Sequence, residues 1–283
     1  MFLLRLLSRL PLWFLHLLGG LGGWLSWCAS PGYRARCAEN AALAGLSGAQ
    51  GRAAIAQAGR LIAELPWLWL RPPGRPLGAA VRWTGAERVE QALAARQGLL
   101  FLTPHLGCFE VTAQAYAERF GAQAPITVLY RPARKAWMRE IVELSRARSG
   151  LATAPANLAG VRQMIRALRR GEAVGLLPDQ VPPEGLGVWA PFFGRKAYTM
   201  TLAARLMQQT GAPALLAWGE RLSWGRGFVV HIEPGPQIPA DSTPESAAEL
   251  INQAMQALIL KAPAQYLWGY NRYKAPRPLE QGE

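Results

Sequence analysis

From residue 81 onward the chain alternates between two patterns of apolar and polar positions. Short runs dense in Val, Leu, Ile and aromatic residues stand at 81–85 (VRWTG), 98–103 (GLLFLT), 125–131 (PITVLYR), 173–179 (AVGLLPD), 213–221 (PALLAWGER) and 227–234 (GFVVHIEP). Such runs, bounded by Gly, Pro and polar residues, read as buried strands. Between them lie stretches at 86–97, 107–120, 135–149, 157–170, 199–210 and 243–261 that read as helices. Strand–helix alternation predicts an α/β fold, a mostly parallel mixed sheet flanked by helices.

Before residue 81 the pattern changes. From Leu10 to Ala29 the chain is almost wholly apolar, preceded by Arg5 and Arg9, and about long enough to cross the hydrocarbon core of a bilayer. Pro11, His16 and four glycines interrupt it. A cleaved signal peptide, a spanning helix, and an interfacial helix or hairpin with Trp13, Trp24 and Trp27 at headgroup level all remain open. All three bring the chain to a membrane. Residues 34–65 read as one or two Ala-rich helices, and Pro66 then opens the aromatic, basic stretch WLWLRPPGRP. That stretch is either a second membrane contact or a turn packed under the domain. The expected division is a hydrophobic membrane-association segment at 1–30, a helical region with a membrane-proximal Trp/Pro stretch at 31–80, and an α/β catalytic domain at 81–283.

In open α/β sheets, ligands bind beyond the carboxyl ends of the strands. Three of the expected strands end on a polar group beside a proline: Thr103-Pro104-His105, Tyr130-Arg131-Pro132 and Pro178-Asp179-Gln180. Glu110 follows His105 by five positions, about 140° around a continuous helix, so the two share no helix face. They meet only if His105 lies in a loop and the helix starts near Gly107. Glu110 can then accept from one ring nitrogen while the other takes a proton. Arg131 and Tyr130 suit a phosphate or carboxylate, and Asp179 and Gln180 can orient a substrate group or brace that arginine. Residues 188–206 read as a proline-aromatic loop carrying Phe192, Arg195 and Lys196 and running into a helix. That mixture suits an amphiphilic anionic substrate.

Composition sharpens this picture. With 31 Lys+Arg against 18 Asp+Glu the net charge is +13, which favours an anionic partner. The basic residues are spread over helices without a basic tail or aromatic RNA-binding signature, which argues against nucleic acid. Three cysteines without a CxxC, and three scattered histidines, give no metal frame or disulfide framework. Cys108 is a candidate nucleophile, but a small buried cysteine is the commoner case.

These residues together resemble the late acyltransferases of bacterial lipid A biosynthesis, the lauroyl/myristoyl transferase family related to glycerolipid acyltransferases. The matching stretches are 104-PHLGCFE-110, an H-x4-D/E motif, then 130-YRP-132, 176-LLPDQ-180, 191-PFFGRKA-197 and 265-QYLWGYNRYK-274. The resemblance implies a glycerolipid acyltransferase-like fold, with His105 as general base, Glu110 as its acidic partner and Arg131 in substrate binding. It also implies an acyl-acyl carrier protein donor (acyl-CoA being the other thioester considered), a lipid A precursor as anionic lipid acceptor, and no cofactor. The location implied is the cytoplasmic face of the inner membrane. The motif here reads HLGCFE where many members have HFGNWE, a difference that bears on the pocket wall. The rival readings are transfer to another lipid acceptor, a thiol enzyme built on Cys108, and a non-catalytic basic module that binds membrane or nucleic acid.

Overall fold

The computed structural model describes residues 2–72, 74–130 and 148–278. Four helices precede the first strand: α1 (Phe2–Leu7), α2 (Leu12–Ala29), α3 (Pro31–Leu43) and α4 (Gly48–Trp69). Ser30 caps α3 by accepting from the Tyr33 amide, and Ser47 with Gln50 closes a capping box on α4. The strands and helices that follow are β1 (Val81–Thr84), α5 (Ala86–Ala94), β2 (Leu99–Leu102), α6 (Phe109–Phe120), β3 (Ile126–Tyr130), β4 (Leu151–Pro155), α7 (Leu158–Arg169) and β5 (Ala173–Leu176). The hairpin β6 (Gly187–Phe192) and β7 (Arg195–Met200) comes next, then α8 (Leu202–Thr210), β8 (Ala214–Arg221), β9 (Phe228–Pro234) and α9 (Pro244–Ile259).

Among the described residues, seven strands form one sheet in the order β1-β9-β8-β2-β5-β3-β4. All neighbours pair in parallel except β8 and β9, so the fold is α/β with a mostly parallel sheet. The central strands β2 and β5 are buried along their whole length, as a sheet covered on both faces requires. One core, with Leu100, Leu102, Leu176, Met164 and Ile251, lies on one face. The other, with Leu99, Phe101, Val111, Tyr116 and Phe228, lies beneath α6.

Three strands differ from the sequence reading. Residues 188–206 were expected as a loop entering a helix. Instead β6 and β7 pair antiparallel, turning at Phe193 with φ 46°, and the helix starts only at Leu202. The Phe193-Gly194 turn has the glycine of a hairpin signal but Phe where Asn or Asp usually precedes it. The edge strand β4, Leu-Ala-Thr-Ala-Pro, is too short and alanine-rich to stand out by pattern. The helix expected at 135–149 falls almost wholly outside the described residues.

α2 is long and apolar enough to cross a membrane, by length and composition. It nevertheless rests against α4. A Cβ on Gly59 would collide with the Gly19 carbonyl and the Gly23 amide, so the two backbones touch along a glycine seam. Two of the four glycines in α2, Gly19 and Gly23, carry this approach, where a Cβ would strike the α4 backbone; each costs the helix about 1 kcal/mol relative to alanine. The opposite side of α2 leaves Trp13, Leu17, Leu21, Trp24 and Leu25 exposed. The stretch after Pro66 divides: Leu68 and Arg71 are buried, with Arg71 paired to Glu118 at 2.6 Å, while Pro72, Arg75 and Pro76 are exposed.

Candidate active site

The ends of the adjacent central strands β2 and β5 build the site. Thr103 continues the ladder by donating to the Leu176 carbonyl. His105 follows β2 in a loop, and α6 begins only at Phe109. Gly107 takes φ +60°, and a Cβ there would strike the Gly219 carbonyl, so this tight passage between strand and helix needs glycine.

The C-terminal segment and β8 clamp this loop. Gly107 donates to the Gln265 carbonyl at 3.0 Å, Cys108 donates to the Gly219 carbonyl at 2.7 Å, and Leu267 donates to the His105 carbonyl at 3.3 Å. Leu106 and Tyr266 form an isolated antiparallel bridge. The amides of Gly107 and Cys108 are therefore engaged within the fold.

Asp179, just beyond β5, meets His105 twice. Its Oδ1 lies 2.7 Å from Nδ1, and its Oδ2 accepts from the His105 backbone amide at 2.8 Å. Burial alone would raise this carboxyl. The His105 imidazole and the two hydrogen bonds outweigh that effect and hold it below the usual carboxylate range. An ionised Asp179 requires a proton on Nδ1, which leaves the lone pair on Nε2. The Gln180 amide donates to that nitrogen at 2.9 Å. Phe109 packs on the imidazole with ring centroids 4.7 Å apart.

The ring contact that the sequence spacing assigned to Glu110 is thus made by Asp179. Glu110 occupies the first turn of α6, where its Oε2 accepts from the Trp69 indole at 3.3 Å. It stands with Thr103, Phe109 and Leu177 on the wall of an apolar cavity, which runs between α6 and the sheet to Tyr116, Ile126 and Trp83. The cavity is narrow, with about 70 Å³ of free space.

The other expected site residues are dispersed. Tyr130 ends β3, and Arg131 lies outside the described residues. Phe192 is buried, packed on Phe193 and beneath the Arg272 guanidinium, so it belongs to the core and not to a substrate surface. Arg195 pairs with Glu39 at 2.5 Å on the outside of the hairpin, and Lys196 beside it is exposed. Cys108 is fully buried, and its burial, together with the charge of Glu64, pushes the thiol well above its usual range. That environment suppresses the thiolate a nucleophile needs. Among the described residues no three His, Cys, Asp or Glu side chains gather as a metal site.

Two supports escaped the sequence reading. Tyr266 is buried close to Asp179, and burial followed by that carboxylate's charge pushes its hydroxyl well up. Gln265 holds the loop at Gly107. Both fall within the quoted C-terminal block, and only their contacts reveal a role.

With this geometry in hand, comparison with known proteins decides the family. Residues 2–275 match the bacterial lipid A biosynthesis acyltransferases. The chain belongs to that family. It is 28% identical over 214 residues to the lipid A biosynthesis lauroyltransferase of Escherichia coli strain K12, a match covering 74% of this chain and 66% of that enzyme. The chain thus spans slightly less than two thirds of that relative. The lipid A biosynthesis palmitoleoyltransferase of the same strain is 26% identical over 226 residues, 78% of this chain and 70% of the relative. A lipid A biosynthesis acyltransferase of Haemophilus influenzae is 23% identical over 184 residues, 65% of this chain and 56% of the relative.

Proposed function

We propose that this family member is a membrane-associated O-acyltransferase that moves a fatty acyl chain from a thioester, acyl-acyl carrier protein, to a hydroxyl of a lipid A precursor. The observation that carries the reading is His105, held through Nδ1 by a buried carboxylate at the open end of two central strands, beside a narrow apolar cavity. The acceptor hydroxyl displaces the Gln180 amide from Nε2 and gives up its proton there. The oxygen attacks the thioester carbonyl, the tetrahedral intermediate collapses, and His105 returns the proton to the departing thiol. No acyl-enzyme is needed, in keeping with the buried Cys108.

Asp179 fixes the tautomer and stabilises the imidazolium. Glu110 adds a second carboxylate at the cavity wall, which favours the same cation at longer range. The acyl chain enters at this apolar cleft, which must widen to take its length, and each methylene it buries contributes about 0.8 kcal/mol. Because Gly107 and Cys108 have spent their amides, support for the oxyanion falls to other donors, among which Arg131 is proposed together with its role in binding the acceptor's phosphate. Tyr130 stays proposed beside it.

The exposed apolar side of α2 supports membrane association, with the net charge of +13 favouring anionic lipid and the acidic carrier protein. Trp224, 87% exposed in the β8–β9 turn, adds to this surface: the neighbouring Gly225 touches the backbone of Trp13. We place the catalytic domain on the cytoplasmic face of the inner membrane.

The test is acyl transfer by the purified chain, with acyl-acyl carrier protein and acyl-CoA as donors and lipid A precursors, lysophospholipids and glycerol phosphate as acceptors. One added acyl mass on the lipid A precursor, lost in His105→Ala, is expected. A fully active His105→Ala enzyme would refute the mechanism.

A further inference from the structure

A second buried polar system lies outside the acid–base pair. Glu64 of α4 is completely buried, and Arg221 at the end of β8 nearly so. Arg221 donates to both Glu64 oxygens, from Nε at 2.7 Å and from Nη2 at 2.5 Å, and its Nη1 donates to Gln57 at 2.9 Å. Two further contacts reach beyond the pair. The same Nη2 donates to the Gly107 carbonyl at 3.3 Å, two residues after His105. On the other side, Nε2 of His16, buried in α2, stands 3.1 Å from Glu64 Oε2. Gln265 completes the arrangement: its side chain accepts from the Arg221 amide and donates to the Arg221 carbonyl, while its own carbonyl holds the Gly107 amide. One continuous chain of hydrogen bonds therefore runs from the apolar N-terminal helix to the carbonyl and the amide of Gly107, two residues after the base.

A buried ion pair contributes little net stability compared with well-packed apolar side chains, so stability alone does not account for charges at this position. Its geometry does something an apolar pair cannot: the guanidinium fork fixes a carboxylate and a loop carbonyl at once. We propose that Arg221 is a positioning residue for the reaction, and that Glu64 and His16 extend its hold to α2, so that the N-terminal helix completes the active site as well as meeting the lipid. The proposal rests on His105 being the base.

The experiment uses the full chain in detergent micelles, which separates catalysis from membrane targeting. Three properties of each variant are compared with the parent: melting temperature, kcat and KM for the acyl donor, and the low-field ¹H signal of the His105 Nδ1–H bonded to Asp179. Arg221→Lys keeps the charge but loses the fork. It is expected to melt within a few degrees of the parent, lose 10- to 100-fold in kcat at unchanged KM, and broaden or shift the Nδ1–H signal. His16→Leu is expected to lower kcat at least threefold with vesicle binding intact, because the glycine seam still docks α2.

Should Arg221→Lys not fold, the double variant Glu64→Met/Arg221→Met removes both charges together and is expected to show the same kcat loss. Parental kcat and Nδ1–H signal in Arg221→Lys, or parental kcat in a folded double variant, overturn the positioning role. Parental kcat in His16→Leu overturns the link to α2. Activity surviving in His105→Ala would instead remove the base assignment, while the Nδ1–H signal still reports whether Arg221 sets the ring.

Discussion

Replacing Asp179 with Asn isolates what the carboxylate does. The side chain keeps its size in a site with no room for relaxation, since Asp179 is 1% exposed. In the native arrangement both carboxylate oxygens face donors, the His105 amide and Nδ1–H. An amide has only one acceptor, so its NH2 must confront one of them. The relief available is for the imidazole to move its proton to Nε2 and accept at Nδ1. The base then presents a proton where it needs a lone pair. Loss of the correct tautomer in a serine protease triad lowers kcat by roughly 10⁴, the size expected here, equivalent to about 5.5 kcal/mol of transition-state stabilisation. Asn is isosteric with Asp and neutral, so the fold should survive. The assay is acyl transfer under donor saturation, with circular dichroism and melting as controls. Glu110→Gln supplies the contrast: its amide oxygen still accepts from Trp69, Nδ1 keeps its contact with Asp179, and a loss of about 10- to 100-fold is expected. An Asp179→Asn enzyme within tenfold of the parent, or one less impaired than Glu110→Gln, would refute the assignment of Nδ1 to Asp179.

Three more outcomes follow from the structure. A Leu at Ala113, on the cavity wall in α6, should shift donor preference toward shorter acyl chains, by roughly fourfold in relative kcat/KM for each methylene excluded; competition between donors of different length, read by mass spectrometry, checks this. Glu64 and Asp179 are both held below their ordinary values of 4.5 and 3.8. A carboxylate depressed on folding stabilises the native state above its unfolded pKa and ceases to do so as pH falls through the folded one. Melting temperature should therefore decline below about pH 4, less steeply in Glu64→Met/Arg221→Met. Trp224→Ala should weaken binding to vesicles containing anionic phospholipid while leaving kcat in detergent unchanged; sedimentation with such vesicles measures it.

Much of this architecture was legible in the periodicity. The buried runs at 98–103 and 173–179 are β2 and β5, and the awkward five-residue spacing placed His105 in a loop ahead of α6. What pattern could not supply was strand order. Asp179 reaches His105 because β5 is the immediate neighbour of β2, a fact of long-range pairing that no local stretch encodes. Glu64 and Arg221 were hidden for another reason. A charge on an alanine-rich helix or at a strand end reads as solvated, and only the sheet and helix packed around the two reveal their burial. Phe192 misled in the opposite direction, since aromatic residues beside Arg and Lys look like a binding surface until the hairpin turns the ring inward.

The glycine seam between α2 and α4 bears on how a soluble form of this enzyme should be made. Cutting away the N-terminal thirty residues is the obvious engineering route. It would strip the cover from Glu64, remove His16 and open the bare backbone face at Gly59 to water. Recolouring the outside is the better design: polar replacements at Leu17, Leu21 and Leu25, all exposed, leave the buried side of the helix seated.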